Sequence, residues 1–249
     1  DPIFGTLLLR VTDPASFPKV VRMSDRANLS AINADGTLAV LKEGSSQNMI
    51  LFQLAENPLS MVKVDYFPNL GSGRYWHPID PHALIVTRGR GVTEFDVNTK
   101  QNTVIVDFTP VLPGTGYAAL TSQSDRQQGR YFAQCAASGA LGTGQDDYDY
   151  VTVFDRTLGQ IVANLHTPTA TGITTKGLHG IQFDNSGHYL TLAFPGGPIY
   201  VWEWATGRLD NYGYVTTEFG GHQAIGDGIV LNPVGGDGLR MRYFALPGD

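Results

Sequence analysis

The sequence predicts an all-β fold made of repeated four-stranded units, and three observations carry that prediction. First, a turn motif recurs between two apolar runs: Asn33-Ala34-Asp35-Gly36, Asp80-Pro81, Arg126-Gln127-Gln128-Gly129, Asp184-Asn185-Ser186-Gly187 and Gly235-Gly236-Asp237-Gly238. Second, the steps from Gly36 through Pro81, Gly129 and Gly187 to Gly238 are 45, 48, 58 and 51 residues, and the 11 residues after Gly238 with the 36 through Gly36 make a closing step of 47. Third, each repeat reads as strand, tight turn, strand, loop, strand, turn, strand. A four-stranded unit at this period is the signature of a β-propeller. The count favours five blades in a single domain spanning 1–249, with a fragment of a six- or seven-bladed parent as the competing reading.

The units follow in order. In the first, Leu29 to Ile32, Thr37 to Leu41, Met49 to Leu54 and Ser60 to Tyr66 alternate apolar and polar residues, as a pleated, half-buried surface requires. The second uses Tyr75 to Ile79, His82 to Thr87, Val92 to Asp96 and Thr103 to Phe108. The third uses Tyr117 to Ser122, Arg130 to Ala137, Asp149 to Asp155 and Gln160 to Leu165. The fourth uses Gly180 to Phe183, His188 to Phe194, Ile199 to Trp204 and Asn211 to Thr217, with Pro195-Gly196-Gly197-Pro198 and Ala205-Thr206-Gly207-Arg208 supplying bends. The ends are complementary halves. Thr6 to Val11 and Lys19 to Met23 read as third and fourth strands, while Ile229 to Asn232 and Leu239 to Ala245 read as first and second. Pairing these halves would close the fifth blade.

Composition bounds the class. The chain has 249 residues, 42% hydrophobic and 16% charged, with 30 Gly and 14 Pro, which suits a folded protein built from turns. A net charge of −6 argues against a nucleic-acid binder, which needs a basic face for phosphate. No run approaches the ~20 apolar residues that span a bilayer. The single cysteine, Cys135, excludes an intrachain disulfide framework and, in its apolar run, reads as a buried thiol. Few Lys and many Tyr, Thr, Gly and Asn lean towards a periplasmic or extracellular location.

Leu178-His179-Gly180-Ile181-Gln182-Phe183-Asp184-Asn185-Ser186-Gly187, followed by Ile199-Tyr200-Val201-Trp202-Glu203, resembles a blade of the broad superfamily of WD-repeat, YVTN-type and SMP-30-like propellers. Asn33-Ala34-Asp35-Gly36 and Val151-Thr152-Val153-Phe154-Asp155 fit the same pattern. The resemblance covers nearly the whole chain and implies architecture alone. The Gly-His and Trp-Asp dipeptides of true WD repeats are missing from most units, so no scaffold role comes with it.

In a propeller, ligands sit at the rim formed by the starts of the inner strands and the loops between second and third strands. Aligning the units puts Asn28, Tyr75 and Asp227 there, with the pair Tyr75-Trp76 as a stacking platform for a sugar. His77, His179 and His222 fall at or near the same rim. Converging imidazoles, with Asp227 and Gln223, would bind a divalent ion such as Mn²⁺ or Zn²⁺. Gly220-Gly221-His222 beside Leu178-His179-Gly180 is similar in a general way to the His clusters of some propeller-fold pectin lyases. Asp147 and Asp149, alternating in the acidic loop, would suit Ca²⁺. The plain reading of each group is a capped turn or a solvated loop.

No nucleophile elbow, phosphate-binding loop or dinucleotide fingerprint is present. Three functions fit. The chain is a binding propeller presenting its rim to a protein or glycan, a metal-assisted lyase or hydrolase acting on a carbohydrate or polar metabolite, or a structural subunit of a larger assembly.

Overall fold

A computed structural model describes residues 21–22, 31–44, 48–56, 59–70, 72–111, 118–124, 129–138, 148–184, 186–195, 197–214, 224–226, 229–234 and 238–243. Among them the strands form five antiparallel sheets, four of four strands and one of three. The described residues are all-β apart from one short helix. Among the described residues no helix is long and apolar enough to cross a membrane.

Each sheet is a meander of strands consecutive in sequence. The first holds β1 (Val21–Arg22), β2 (Leu38–Glu43), β3 (Met49–Glu56) and β4 (Leu59–Phe67). The second holds β5 (Ser72–Trp76), β6 (Ala83–Arg88), β7 (Gly91–Asp96) and β8 (Asn102–Asp107). The third holds β9 (Ala118–Ser124), β10 (Tyr131–Ala136), β11 (Tyr150–Asp155) and β12 (Gln160–His166), followed by helix α1 (Thr167–Thr171). The fourth holds β13 (Gly180–Phe183), β14 (Tyr189–Ala193), β15 (Pro198–Glu203) and β16 (Arg208–Tyr214). The last holds β17 (Ala224–Gly226), β18 (Ile229–Val234) and β19 (Gly238–Tyr243).

The turn motifs do the work their residues allow. Gly36 and Gly187 close their turns at φ of 78° and 76°, a left-handed conformation that costs a residue with a Cβ. Asn33 accepts the Leu38 N–H at 2.9 Å through Oδ1 and donates Nδ2 to the Pro81 carbonyl at 3.0 Å, so the first turn is tied to the turn of the next sheet. The same irregularity recurs in all four complete sheets. Between the third and fourth strands the register slips by one residue, at Leu51/Phe52, Val92/Thr93, Val153/Phe154 and Pro198/Tyr200. In each the extra residue is on the fourth strand, the arrangement of a β-bulge.

The sheets pack face to face. Met49, Leu51 and Phe67 of the first meet Trp76, Leu84 and Phe95 of the second. Ile85 and Val92 of the second meet Phe132, Ala136 and Phe154 of the third. Val151 and Val153 of the third meet Phe183, Leu190 and Trp202 of the fourth, and Cys135 is buried in this cluster. The first strands adjoin in series, β5 with β9, β9 with β13 and β13 with β17.

The ends depart from expectation. Arg22 pairs with Lys42 and Val21 with Glu43, so the described part of the expected strand Lys19 to Met23, Val21–Arg22, joins the first sheet where the last was expected. The edge of β2 has room for two short partners: β1 takes one end, and Ile32 bridges Ala39 at the other. In the last sheet β18 is a middle strand, because β17 pairs along its free edge, Gly226 opposite Ile229. Ile229 to Asn232 therefore follows one strand further out than a first strand would. The expected strand Thr6 to Val11 lies outside the described residues.

Candidate functional site

Polar groups from two sheets line a cavity at the turn end of the seam between the second and third sheets. His77 directly follows β5, and its N–H bonds the Ala83 carbonyl at 2.9 Å. Its ring folds back over its own turn. Nδ1 accepts the N–H of Asp80 at 2.9 Å and of Ile79 at 3.2 Å, the role an Asx side chain plays in other turns. Asp80 completes the turn by accepting the His82 N–H at 2.8 Å.

The other wall comes from the third sheet. Gly129 has φ of 62°, and a Cβ there would stand 2.5 Å from His77 Nε2, so conformation and space both require glycine. Next to it Arg130 forks onto Asp155, with Nη2 at 2.6 Å and Nε at 3.0 Å. Asp155 is 2% exposed and also accepts the Thr157 and Leu158 N–H groups at 2.8 and 3.1 Å. The Arg130 guanidinium, then these backbone donors, hold the Asp155 carboxyl below the usual carboxylate range despite its burial. Arg156 reaches across the seam. Its Nη1 and Nη2 bond the Glu94 carboxylate of β7 at 2.7 and 3.3 Å, and Nη1 lies 3.5 Å from His77 Nε2. Between these walls is a cavity of about 310 Å³, which Thr157 also lines.

This arrangement relocates several expected site residues. β5 runs from Ser72 to Trp76, so His77 lies past its end, opposite the rim where the strand begins. His179 precedes β13, at the start of a first strand, and its N–H bonds the Ala193 carbonyl at 2.8 Å. The two histidines thus occupy opposite ends of their sheets. Tyr75 is buried among Ile85, Phe108 and Phe132, and Trp76 is buried with Nε1 bonded to the Ala31 carbonyl at 2.8 Å. Neither offers a face for a sugar to stack on, because adjacent sheets claim both rings. Asn28, Asp147, His222 and Asp227 lie outside the described residues.

Asp149 also turns inward. It is 0% exposed, accepts the Ser138 N–H at 2.7 Å and the Ser138 hydroxyl, and its Oδ2 lies 4.0 Å from His166 Nε2. A carboxylate so engaged closes the base of its loop. Among the described residues, no three His, Cys, Asp or Glu side chains are grouped to hold a metal ion.

No protein-family model matches this chain, and no curated protein matches it.

The cavity residues Glu94, Gly129, Arg130 and Arg156 were not singled out as a site from sequence, although Gly129 was a turn landmark. Glu94 and Arg156 are 62 residues apart. The one local signal was a polar Arg-Thr pair directly after Asp155, in a turn that could otherwise have been fully solvated.

Proposed function

We propose that this protein is a β-propeller binding module, with its five sheets as consecutive blades and the cavity beside His77 as a site for a small polar ligand. The serial contacts of the first strands, β5 to β9 to β13 to β17, support the blade reading, because they set the first strands of four of the five sheets side by side, as in a propeller. The observation that carries the binding reading is the cavity itself. Its donors and acceptors come from two sheets and are pre-positioned: His77 by its own turn, Arg130 by Asp155 and Arg156 by Glu94. Rigid polar groups around a concave space set ligand orientation at little entropic cost. The site lies at the turn end of the sheets, away from the rim where the first strands begin.

The test is calorimetric titration of a panel of monosaccharides, polyols and small carboxylates into wild type and Arg156→Ala. The reading expects at least one panel member to bind wild type and to lose at least tenfold in affinity in the variant, about 1.4 kcal/mol. Binding that is equal in both proteins would put the ligand elsewhere and end this assignment.

A further inference from the structure

We infer that the cavity beside His77 takes a neutral polyhydroxyl compound, a single sugar ring, through two adjacent hydroxyls that bridge the ion pair of Arg156 and Glu94. This rests on the binding reading above and adds the ligand class.

The charge of the lining carries the argument. Two guanidiniums, Arg130 and Arg156, stand against two carboxylates, Asp80 and Glu94. Both guanidiniums are already in ion pairs, Arg156 with Glu94 and Arg130 with the buried Asp155. An anion entering here meets Asp80 and Glu94, and a cation meets the arginines, so neither sign of charge gains a net attraction. A neutral ligand faces no such opposition. It must offer donors and acceptors together, because the wall presents both.

Pairing does not exhaust Arg156 or Glu94. Nη1 and Nη2 of Arg156 bond the Glu94 carboxylate at 2.7 and 3.3 Å. A guanidinium carries more N–H groups than that fork uses, and a carboxylate oxygen accepts more than one bond. One hydroxyl of an adjacent pair accepts from Arg156 while its neighbour donates to Glu94, and the ion pair stays intact. Both new bonds are charge-assisted. The Asp80 carboxylate and the Thr157 hydroxyl continue the same mixed lining.

Size and surroundings agree. A volume of about 310 Å³ lies at the small end of ligand pockets, which suits one ring better than a chain of them. Each turn that borders the cavity also carries an apolar side chain in solvent. Ile79, next to Asp80, and Leu158, next to Thr157, are both 57% exposed. A sugar ring has the matching two-sided chemistry, with hydroxyls at its edge and C–H groups on its faces.

The experiment titrates glucose, galactose, mannose, sodium acetate and methylamine hydrochloride separately into the full chain, followed by calorimetry, for wild type, Arg156→Ala and Glu94→Gln. Both side chains are partly exposed, so neither variant threatens the fold. At least one sugar should bind wild type saturably and more tightly than acetate or methylamine, and each variant should weaken it at least tenfold. Sugar binding that Arg156→Ala weakens and Glu94→Gln does not would overturn the bridged ion pair and leave the binding module standing. Acetate or methylamine bound more tightly than any sugar, and lost in Arg156→Ala, would do the same. Sugar binding that neither variant changes, or no binding of any of the five, would defeat both readings.

Discussion

The two seams on either side of the third sheet are held together differently. Among the described residues, the largest apolar cluster lies between the third and fourth sheets, where Phe183, Leu190, Val151, Val153 and Trp202 are almost wholly buried. Between the second and third, the apolar cluster is smaller and polar groups continue it in both directions. Towards the loop between β6 and β7, Thr87 and Gln134 share the faces of Ile85 and Phe132; Thr87 Oγ1 and Gln134 Oε1 have no partner among the described residues, and Gln134 Nε2 donates to the Gly89 carbonyl at 3.4 Å. Towards the turns stands the His77, Glu94 and Arg156 constellation. Burial is non-directional and closes a seam wherever shapes fit, whereas hydrogen bonds and ion pairs need set geometry and leave polar space when they meet. One seam is closed by apolar burial, and the other keeps a polar cavity at its turn end.

The comparison breaks most readily at the apolar seam. Phe183→Ala should cost about 3–5 kcal/mol in urea unfolding, because it removes a fully buried ring from the large cluster. The seam's claim to be the stronger joint would be lost if Phe132→Ala, on the polar-ended side, cost more.

A smaller effect is expected at Gly129→Ala. The new Cβ meets the His77 ring and the residue must hold a left-handed φ, which together should cost roughly 1–3 kcal/mol. The same variant should displace His77 and weaken any ligand bound in the cavity. Full retention of both stability and binding would mean that the ring does not pack on Gly129.

The smallest effect concerns pH. Asp155 is held below the ordinary carboxylate range by Arg130, so its contribution is complete above that range and is lost as pH falls through the folded-state value. Asp155→Asn should therefore lower stability at neutral pH and flatten the acid limb of a stability profile taken down to about pH 3. Asp35, Asp96 and Asp107 are lowered as well, by hydrogen bonds within exposed turns, and a limb unchanged by Asp155→Asn would transfer the effect to them.

Local pattern made the strands legible. The turns at Asn33 to Gly36 and Asp184 to Gly187 need a small residue with positive φ flanked by alternating apolar residues, and that signal lies within a few positions of the chain. The inner edge of the first sheet was harder, because Lys19 to Met23 and Leu29 to Ile32 are both short and both apolar enough to pair. The structure uses parts of both against β2, at different ends. The cavity was illegible for a different reason. His77 belongs to one sheet and Gly129 to the next, so their contact depends on how sheets pack, which no spacing along the chain records. Tyr75 and Trp76 illustrate the same limit: nothing local distinguishes an aromatic exposed at a rim from one claimed by the neighbouring sheet.

The extra residue in every fourth strand has a bearing on solubility. β4, β8, β12 and β16 each end their sheet, with a row of backbone donors and acceptors that another chain could adopt as a template. A bulge displaces one peptide from that row and increases the local twist, so a straight incoming strand cannot stay in register past it. Val62, Val64 and Val104 are well exposed on these strands, and they lie beside or within two residues of a slip. The irregularity thus sits where fibrillar growth would otherwise find its most apolar foothold.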